Sequence, residues 1–363
     1  EIVAVYEENE YTYNDFATCR LIVRSYKAYE NSYGADEAVT GYEDLQVIQY
    51  ESVEETINAF NSLSSKSDVI SVLPDTEIDL STEESTKTTE EYNWAYDRVR
   101  VYEAIEYVTN TYNIDELPEI KVGILDTGVW TDEEDIQERL VSEYSVINHR
   151  NMTFKVAETH ANIISRIITD CTTTNVKIYS YQGCNGNGDF FVSNFIICEE
   201  RMLLDNLDVV NFSFGSVIDY NIGAKLDEQG VLVITSAGNR ANARPYYPSS
   251  AKYALSVASM NKFDKLSTFS NRNSDYVEVV APGENLPNMG SGTSFSCPMV
   301  VSLCAMIMSL NPEYTREQVV QKLYSSCDST LLAGTKTKYG TIDFMNALVG
   351  REYKSQLVDA PTF

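Results

Sequence analysis

Apolar and polar positions alternate over short distances in the first part of the chain. The segments "EIVAVY", "ATCRLIVRSY" and "DLQVIQY" are predicted strands, and "SDVISVLPDTEIDL" is predicted to be the last strand of this unit. In "SVEETINAFNSL" the apolar residues Val53, Ile57 and Phe60 recur at helical spacing. Ser52 precedes that run as a possible helix cap, with Glu55 three residues later. The pattern predicts a compact α+β unit over residues 1–80.

A change of pattern follows at residues 81–92, "STEESTKTTEEY", where Tyr92 is the only apolar residue. This segment is predicted to be an acidic linker. Beyond it "WAYDRVRVYEAIEYVTNTY" is predicted to be a helix. Near-continuous apolar runs then alternate with helical stretches: "IKVGILD", "VKIYSY", "LDVVNFSFG", "GVLVITSAGN", "ALSVASM" and "VEVVAPG". Such runs are typical of a parallel sheet covered on both faces, so residues 93–352 are predicted to be an α/β domain, with 353–363 as a tail.

The charge of the chain excludes some classes of partner. The formal net charge is −27, which repels the phosphates of nucleic acids and the anionic surfaces of membranes. No run of eighteen apolar residues occurs, so no membrane-spanning segment is expected. The same acidity favours basic substrates by electrostatic steering.

The cysteines and the first residue of the chain give only limited information on the cellular compartment. The 7 cysteines show no zinc-binding spacing, and their odd number leaves at least one thiol without a partner in the chain. Glu1 begins directly in a predicted strand, so we expect any export signal to have been removed.

Polar residues stand where predicted strands end or helices begin. Asp126 ends "KVGILD", Asn239 follows "VLVITSAG", and His160 and Ser294 precede apolar helical runs. Functional residues of parallel sheets collect at the carboxyl ends of strands. Taken singly, each of these residues is more often a cap, a turn former or an exposed histidine.

In combination, the motifs resemble the subtilisin family of serine peptidases. "DTGV", the histidine-bearing helix, "NFSFG", "SAGN", "VAPG" and "GTSFSCP" occur in that family's order, and the resemblance covers roughly residues 93–350, ending in "KYGTIDFMNAL". It implies a three-layer α/β fold with a parallel central sheet. It also implies hydrolysis of peptide bonds by a triad, with Ser294 as the nucleophile, His160 as its base and Asp126 orienting the imidazole.

The resemblance extends to the binding residues. The Asn239 side chain and the Ser294 backbone N–H would form the oxyanion hole. Ser213, Phe214 and Gly215 resemble the edge segment that pairs with a peptide substrate. The pocket walls would come from the two segments 236–238 and 185–190, that is, from Ser236, Ala237, Gly238, Gly186 and Gly188.

Departures from the family's motifs leave alternatives open. The usual histidine motif is "HGTHVAG"; aligning it with "AETHANI" puts Ala157 at the catalytic position, whereas aligning it with "HANIISR" puts His160 there, and we favour the second. Met299 stands where the family commonly has histidine. The segment "ITDCTTTNVKIY" is too short for the calcium loop that many members insert, so no metal is predicted there and no cofactor is required. A catalytically silent homologue that binds a protein partner through the cleft remains the alternative, and an esterase is a weaker one because the G-x-S-x-G elbow is missing.

The position, length and pattern of residues 1–80 resemble the propeptide of secreted subtilisins. That propeptide packs two helices on a small sheet, and its last strand inhibits the cleft. The resemblance implies a secreted or cell-surface zymogen that cuts itself between about Glu77 and Glu84 and then acts on peptides or proteins. A separate accessory domain is the alternative interpretation of these residues.

Overall fold

A computed structural model of the chain describes residues 2–7, 9–26, 44–80, 93–146, 150–153, 155, 160–184, 190–273, 275–329 and 337–350. The predicted linker (81–92) and tail (353–363) lie outside these ranges, as do Ala157, Gly186 and Gly188.

The N-terminal unit is a small α+β module, as its pattern predicts. Strand β3 lies between β4 and β5 in an antiparallel sheet, while β1 and β2 form a separate hairpin. Helix α1 starts as expected, because the Ser52 hydroxyl accepts a hydrogen bond from the Glu55 N–H at 3.2 Å. Phe60 is fully buried against Tyr11 and Phe16. The elements of this unit are β1 (Ile2–Tyr6), β2 (Asn9–Thr12), β3 (Arg20–Ser25), β4 (Leu45–Gln49), α1 (Val53–Leu63), β5 (Val69–Pro74) and β6 (Asp79–Leu80).

One expectation about this unit needs correction. The described residues of the unit contain the α-helix α1 and a short 3-10 helix at Tyr13–Phe16, and residues 27–43 lie outside the described ranges, so the expectation of two helices stays a prediction. The predicted last strand is divided into β5 and β6. Strand β5 stays in the unit's own sheet, ending at Pro74, whereas β6 leaves it and pairs elsewhere.

The remainder of the described chain alternates strands and helices. Its elements are α2 (Trp94–Arg98), α3 (Val101–Thr111), β7 (Ile120–Asp126), α4 (Glu134–Gln137), β8 (Leu140–Ser145), α5 (His160–Asp170), β9 (Val176–Gln182), α6 (Val192–Met202), β10 (Val209–Phe212), β11 (Phe214–Gly215), α7 (Ala224–Glu228), β12 (Leu232–Ser236), β13 (Ala254–Met260), β14 (Val277–Pro282), α8 (Thr293–Leu310), α9 (Arg316–Ser326), β15 (Gly340–Thr341) and α10 (Phe344–Val349).

Eight of these strands form one parallel sheet, in the order β15-β14-β13-β12-β10-β7-β9-β8. Successive residues of a strand point to opposite faces. In β7, Ile124 therefore packs into the core on the α5 and α8 side, while Leu125 packs into the core on the α6 side. Both faces are covered, which confirms the three-layer α/β fold.

The helix predicted between residues 94 and 112 is interrupted. Arg100 adopts a left-handed backbone conformation with φ of 60°, which separates α2 from α3. Its guanidinium lies against the carboxylate of Asp343, with Nε 2.9 Å from Oδ1. Because the partner is far away in the sequence, the break has no local signal.

Helix α8 runs through the centre of the domain. It is long and apolar enough to cross a membrane, with a mean hydropathy of 1.7, but 89% of it is buried inside the fold. It packs against α5 and against β10, β12 and β13. Its apolar character therefore belongs to the core, and it fixes the position of its own first turn.

Candidate active site

Asp126 and His160 meet at the carboxyl end of β7. The His160 Nδ1 atom lies 2.9 Å from Asp126 Oδ1 and 2.8 Å from Oδ2, and both side chains are buried. The N–H of Thr127 also donates to Asp126 Oδ1 at 2.7 Å. The carboxylate thus faces two donors and holds the imidazole with Nδ1 toward it.

The start of α5 is tied to the loop after β7. The Thr127 hydroxyl accepts a hydrogen bond from the Ala161 N–H at 2.9 Å, which satisfies one of the free donors of the helix. Asn162 and the backbone of Trp130 exchange two hydrogen bonds, each of 2.7 Å. These contacts join the first turn of α5 to the loop that follows β7. As a result, His160 at the start of the helix lies beside Asp126 at the end of the strand.

The other nitrogen of His160 is left available. Its Nε2 is buried and has no hydrogen-bond partner among the residues that the structure describes. The ring packs against Phe295 of α8, with centroids 5.7 Å apart. A neutral imidazole that donates from Nδ1 to a carboxylate presents a lone pair at Nε2, which is the arrangement of a general base.

Ser294 lies in the first turn of α8, where the helix macrodipole favours negative charge. Its Oγ donates to the carbonyl of Ser213 at 3.2 Å. In return, the Ser213 hydroxyl donates to the carbonyl of Ser294 at 2.9 Å, and Asn211 Nδ2 donates to the Ser213 hydroxyl. The nucleophile candidate is therefore held against the end of β10.

Pro298 leaves the carbonyl of Ser294 without the backbone donor that a regular helix would provide. In a regular helix the N–H of residue 298 would donate to the carbonyl of residue 294, and proline has no N–H. The Ser213 hydroxyl supplies that missing donor from outside the helix.

Asn239 points its amide nitrogen into the site. Its Oδ1 accepts from the N–H of Thr293 at 3.0 Å and from the Thr293 hydroxyl at 2.9 Å. Its Nδ2 is buried and has no partner within the described part of the chain. Two bonds to the oxygen thus leave the nitrogen as a donor beside the first turn of α8, as an oxyanion hole requires.

Two residues that the sequence did not indicate support this turn. Thr293 also accepts from the N–H of Gly238, whose φ of +95° favours glycine. The buried Asn271 donates to the carbonyl of Ala237 at 2.8 Å and accepts from the N–H of Arg240 at 3.0 Å. No local pattern marks Asn271, because its partners lie about thirty residues away.

Some of the predicted binding residues lie in the described part of the chain, whereas Gly186 and Gly188 lie outside it. Ser236 and Ala237 are buried, and the Ser236 hydroxyl has no partner among the described residues. Gly215 lies directly against Tyr246, since a side chain at Gly215 would begin 2.1 Å from that ring.

The end of the N-terminal unit lies between β11 and the segment that precedes α6. Strand β6 pairs antiparallel with β11, with Leu80 opposite Phe214 and Asp79 opposite Gly215. On the other side, the N–H of Ile78 donates to the carbonyl of Phe190 at 2.9 Å. The segment preceding residue 81 therefore occupies the position of an added strand.

Asp75 anchors this segment at the start of α6. It accepts from the N–H and the hydroxyl of Ser193 at 2.9 and 2.8 Å and from Arg20 Nε at 2.9 Å. Burial raises the pKa of its carboxyl, and Arg20 and Ser193 act in the opposite direction. A carboxylate of the N-terminal unit thus caps a helix of the larger domain.

The cysteine thiols and the acidic side chains offer no second reactive centre among the described residues. Burial raises the pKa of the Cys297 thiol, which disfavours a thiolate three residues after Ser294. None of the seven cysteines forms a disulfide. The described residues contain no group of three or more histidine, cysteine or acidic side chains able to hold a metal ion.

Comparison with known families decides the identity of the larger domain. Residues 118–344 match the model of the subtilase family, Peptidase_S8. The chain belongs to the subtilase family.

Relatives of this subtilase have different lengths and locations. It is 25% identical over 262 residues to the minor extracellular protease Epr of Bacillus subtilis, covering 66% of this chain and 39% of that protein. It is 26% identical over 276 residues to the major intracellular serine protease of the same organism, covering 61% and 84%. The matched part thus spans about two fifths of Epr.

Solved structures confirm the subtilisin-like fold. A lanthipeptide protease superposes with a TM-score of 0.59 at 20% identity, covering 70% of this chain and 92% of that one. A cold-adapted subtilisin-like serine proteinase gives 0.56 at 22% identity, covering 62% and 89%. At these identities the likeness concerns the fold.

Proposed function

We propose that this subtilase is a serine endopeptidase made as a precursor, with residues 1–80 as an intramolecular inhibitor. The observation that carries the proposal is the pairing of His160 Nδ1 with both oxygens of Asp126, which leaves the buried Nε2 without a partner among the described residues. An imidazole held in this way takes up a proton at Nε2 and is stabilised, once charged, by the carboxylate.

In the proposed reaction Ser294 Oγ attacks the carbonyl carbon of the substrate while its proton passes to His160 Nε2. The oxyanion accepts hydrogen bonds from Asn239 Nδ2 and from the N–H of Ser294. The C–N bond then breaks, and the leaving amine takes the proton from His160. Water, activated by the same nitrogen, hydrolyses the acyl-enzyme and regenerates Ser294. The proposed steps call for no metal or cofactor.

Self-processing is the second part of the proposal. The antiparallel register places Leu80 opposite Phe214, and Ser213, which directly precedes Phe214, accepts the hydrogen bond from Ser294 Oγ. Continuing the register favours a bond shortly after Leu80, toward the end of the range from Glu77 to Glu84. After cleavage, residues 1–80 would remain bound as an inhibitor through β6 and Asp75 until displaced or degraded.

Peptides and proteins are the proposed substrates, and secretion is the proposed localisation. The extracellular relative supports secretion, whereas the intracellular relative shows that the family alone does not decide it. A catalytically silent homologue is less well supported, because Asp126, His160, Asn239 and Ser294 are all present in the arrangement described above.

Refolding of the full chain tests the proposal. Wild type should be cut shortly after Leu80, and mass spectrometry should show fragments that sum to the intact chain plus one water. The Ser294→Ala variant should stay whole under the same conditions. Intact wild type, or equal cutting of both chains, contradicts self-processing.

A further inference from the structure

We infer that the cleft selects peptides with a carboxylate side chain at the position opposite Gly215, and that Arg240 and Tyr246 bind that carboxylate. This inference deepens the proposed function and rests on it. The observation behind it is the environment of Asp79, the residue of β6 that pairs with Gly215.

Two donors of the larger domain converge on Asp79. The Tyr246 hydroxyl donates to Asp79 Oδ2 at 3.0 Å, and Arg240 Nη2 lies 3.5 Å from the same oxygen. The Arg240 guanidinium also lies over the Tyr246 ring, 5.0 Å from its centroid. The three side chains thus form one stack in which a cation and a hydroxyl meet a single carboxylate oxygen.

The position of Tyr246 follows from the backbone around it. Tyr246 is 1% exposed, and its ring fills the space where a side chain on Gly215 would begin. Its N–H donates to the Ser250 hydroxyl at 2.7 Å. A peptide paired with Gly215 therefore brings its side chain to the Tyr246 hydroxyl as a consequence of the register, whichever chain supplies the peptide.

Charge determines which side chain is preferred there. The Tyr246 hydroxyl can donate to an amide oxygen as well as to a carboxylate, whereas Arg240 favours the negative group and repels lysine. The side chains of Asp79 and Arg240 are 50% and 45% exposed, so water weakens the ion pair. An exposed pair of this kind contributes about two- to fivefold in affinity. This local preference is opposite to that expected from the overall charge of −27.

The chain offers matched controls for both sides of the contact. Glu77 lies two residues before Asp79, is exposed, and has no ion pair within the described residues. Arg244 lies four residues after Arg240 and is likewise exposed. Substituting either control changes the charge as the test substitution does, without touching the contact.

The first experiment measures hydrolysis of peptides that copy residues 75–86, by the self-processed enzyme. Replacing the aspartate at position 79 with asparagine should lower kcat/KM about two- to fivefold, and replacing it with lysine should lower it further. Replacing the glutamate at position 77 with glutamine should change it less. The ratio of kcat/KM for the unchanged peptide to kcat/KM for the peptide with asparagine at position 79 should fall close to one in the Arg240→Gln enzyme. The Arg244→Gln enzyme should keep the ratio of wild type. An equal ratio in wild type and Arg240→Gln overturns the inference.

The second experiment needs no catalysis. In the full-length Ser294→Ala chain, hydrogen exchange of the amides at residues 79, 80, 214 and 215 reports the opening of the β6–β11 pair, and the Ser216 amide, which donates to the carbonyl of Tyr247, provides a reference. Asp79→Asn and Arg240→Gln should each raise the exchange rate about two- to fivefold, and the double variant should add little more. Independent, multiplying effects contradict the inference. Failure to hydrolyse any peptide counts against the proposed function, while the exchange result still decides this inference.

Discussion

Ser213 and Ser294 hold each other through two hydrogen bonds, in which each hydroxyl donates to the carbonyl of the other residue, at 2.9 and 3.2 Å. The carbonyl of Ser294 is the one that Pro298 leaves without a helical donor. The proline in the first turns of α8 and the serine after β10 therefore act as a pair, although 85 residues separate them in the sequence.

This pairing predicts the cost of losing the Ser213 hydroxyl. In the Ser294→Ala chain, Ser213→Ala should lower the free energy of unfolding by about 1–3 kcal/mol, because a buried carbonyl loses its donor. In a Pro298→Ala background the loss should be smaller, since alanine restores a backbone N–H at that position of the helix. Denaturant titration of the four chains measures both values. Equal losses in the two backgrounds would mean that the pair is not coupled.

The Nδ2 atom of Asn239 is predicted to act in the transition state, while its Oδ1 atom holds Thr293 in the ground state as well. Asn239→Ala should reduce kcat by about 10²–10³ with little change in KM, because its Nδ2 donates only once the oxyanion forms. Steady-state kinetics on a peptide substrate measures this, with Asn242→Ala as the control. A main effect on KM would assign Asn239 to substrate binding instead.

Asp75 is predicted to join the N-terminal unit to the larger domain. Asp75→Ala removes the acceptor of the Ser193 N–H and hydroxyl and leaves Arg20 without this carboxylate. We expect the intact Ser294→Ala chain to lose on the order of 1–3 kcal/mol of stability. The exposed Glu10 provides a control, since Glu10→Ala should stay within about 0.5 kcal/mol. Equal effects of the two substitutions would refute the capping role.

The buried carboxyl of Glu199 is predicted to make the free energy of unfolding depend on pH. Burial raises the pKa of its carboxyl to about 7, despite the hydrogen bond from the Gly223 N–H and the nearby Lys225. The folded chain then holds a proton that the unfolded chain, with an ordinary pKa of 4.5, releases. Its contribution is therefore present below about pH 4.5 and is lost as the pH rises toward 7.

The test compares Glu199→Gln with the Ser294→Ala parent between about pH 4.5 and 8. The parent should lose on the order of 2–3 kcal/mol more than the glutamine variant over this interval. Denaturant titrations at each pH give the difference. Parallel stability profiles would show that Glu199 does not hold the extra proton.

The local patterns of the sequence account for much of the site. Asp126 ends a near-continuous apolar strand and His160 begins an amphipathic helix, so both lie where the pattern places them. The cap at Ser52 is equally local.

The rest depends on contacts between distant parts of the chain. The break at Arg100 faces Asp343, Asn271 supports Ala237, and β6 leaves its own sheet to pair with β11. Strand β8 was not predicted, because it is only partly buried and its apolar run is weak. Strand β15 has only two residues, so the family resemblance marks its place and the apolar pattern does not. Residues whose partners are fixed only by the folded chain carry no periodic signal of their own.

The central claim is that Ser294 is a nucleophile activated by His160 and Asp126. Refolded, self-processed wild type should react with a fluorophosphonate probe, and peptide mapping by mass spectrometry should place the single adduct on Ser294, with no adduct on the Ser294→Ala variant. Absence of labelling in folded, processed wild type, or an adduct on another serine, would contradict the account.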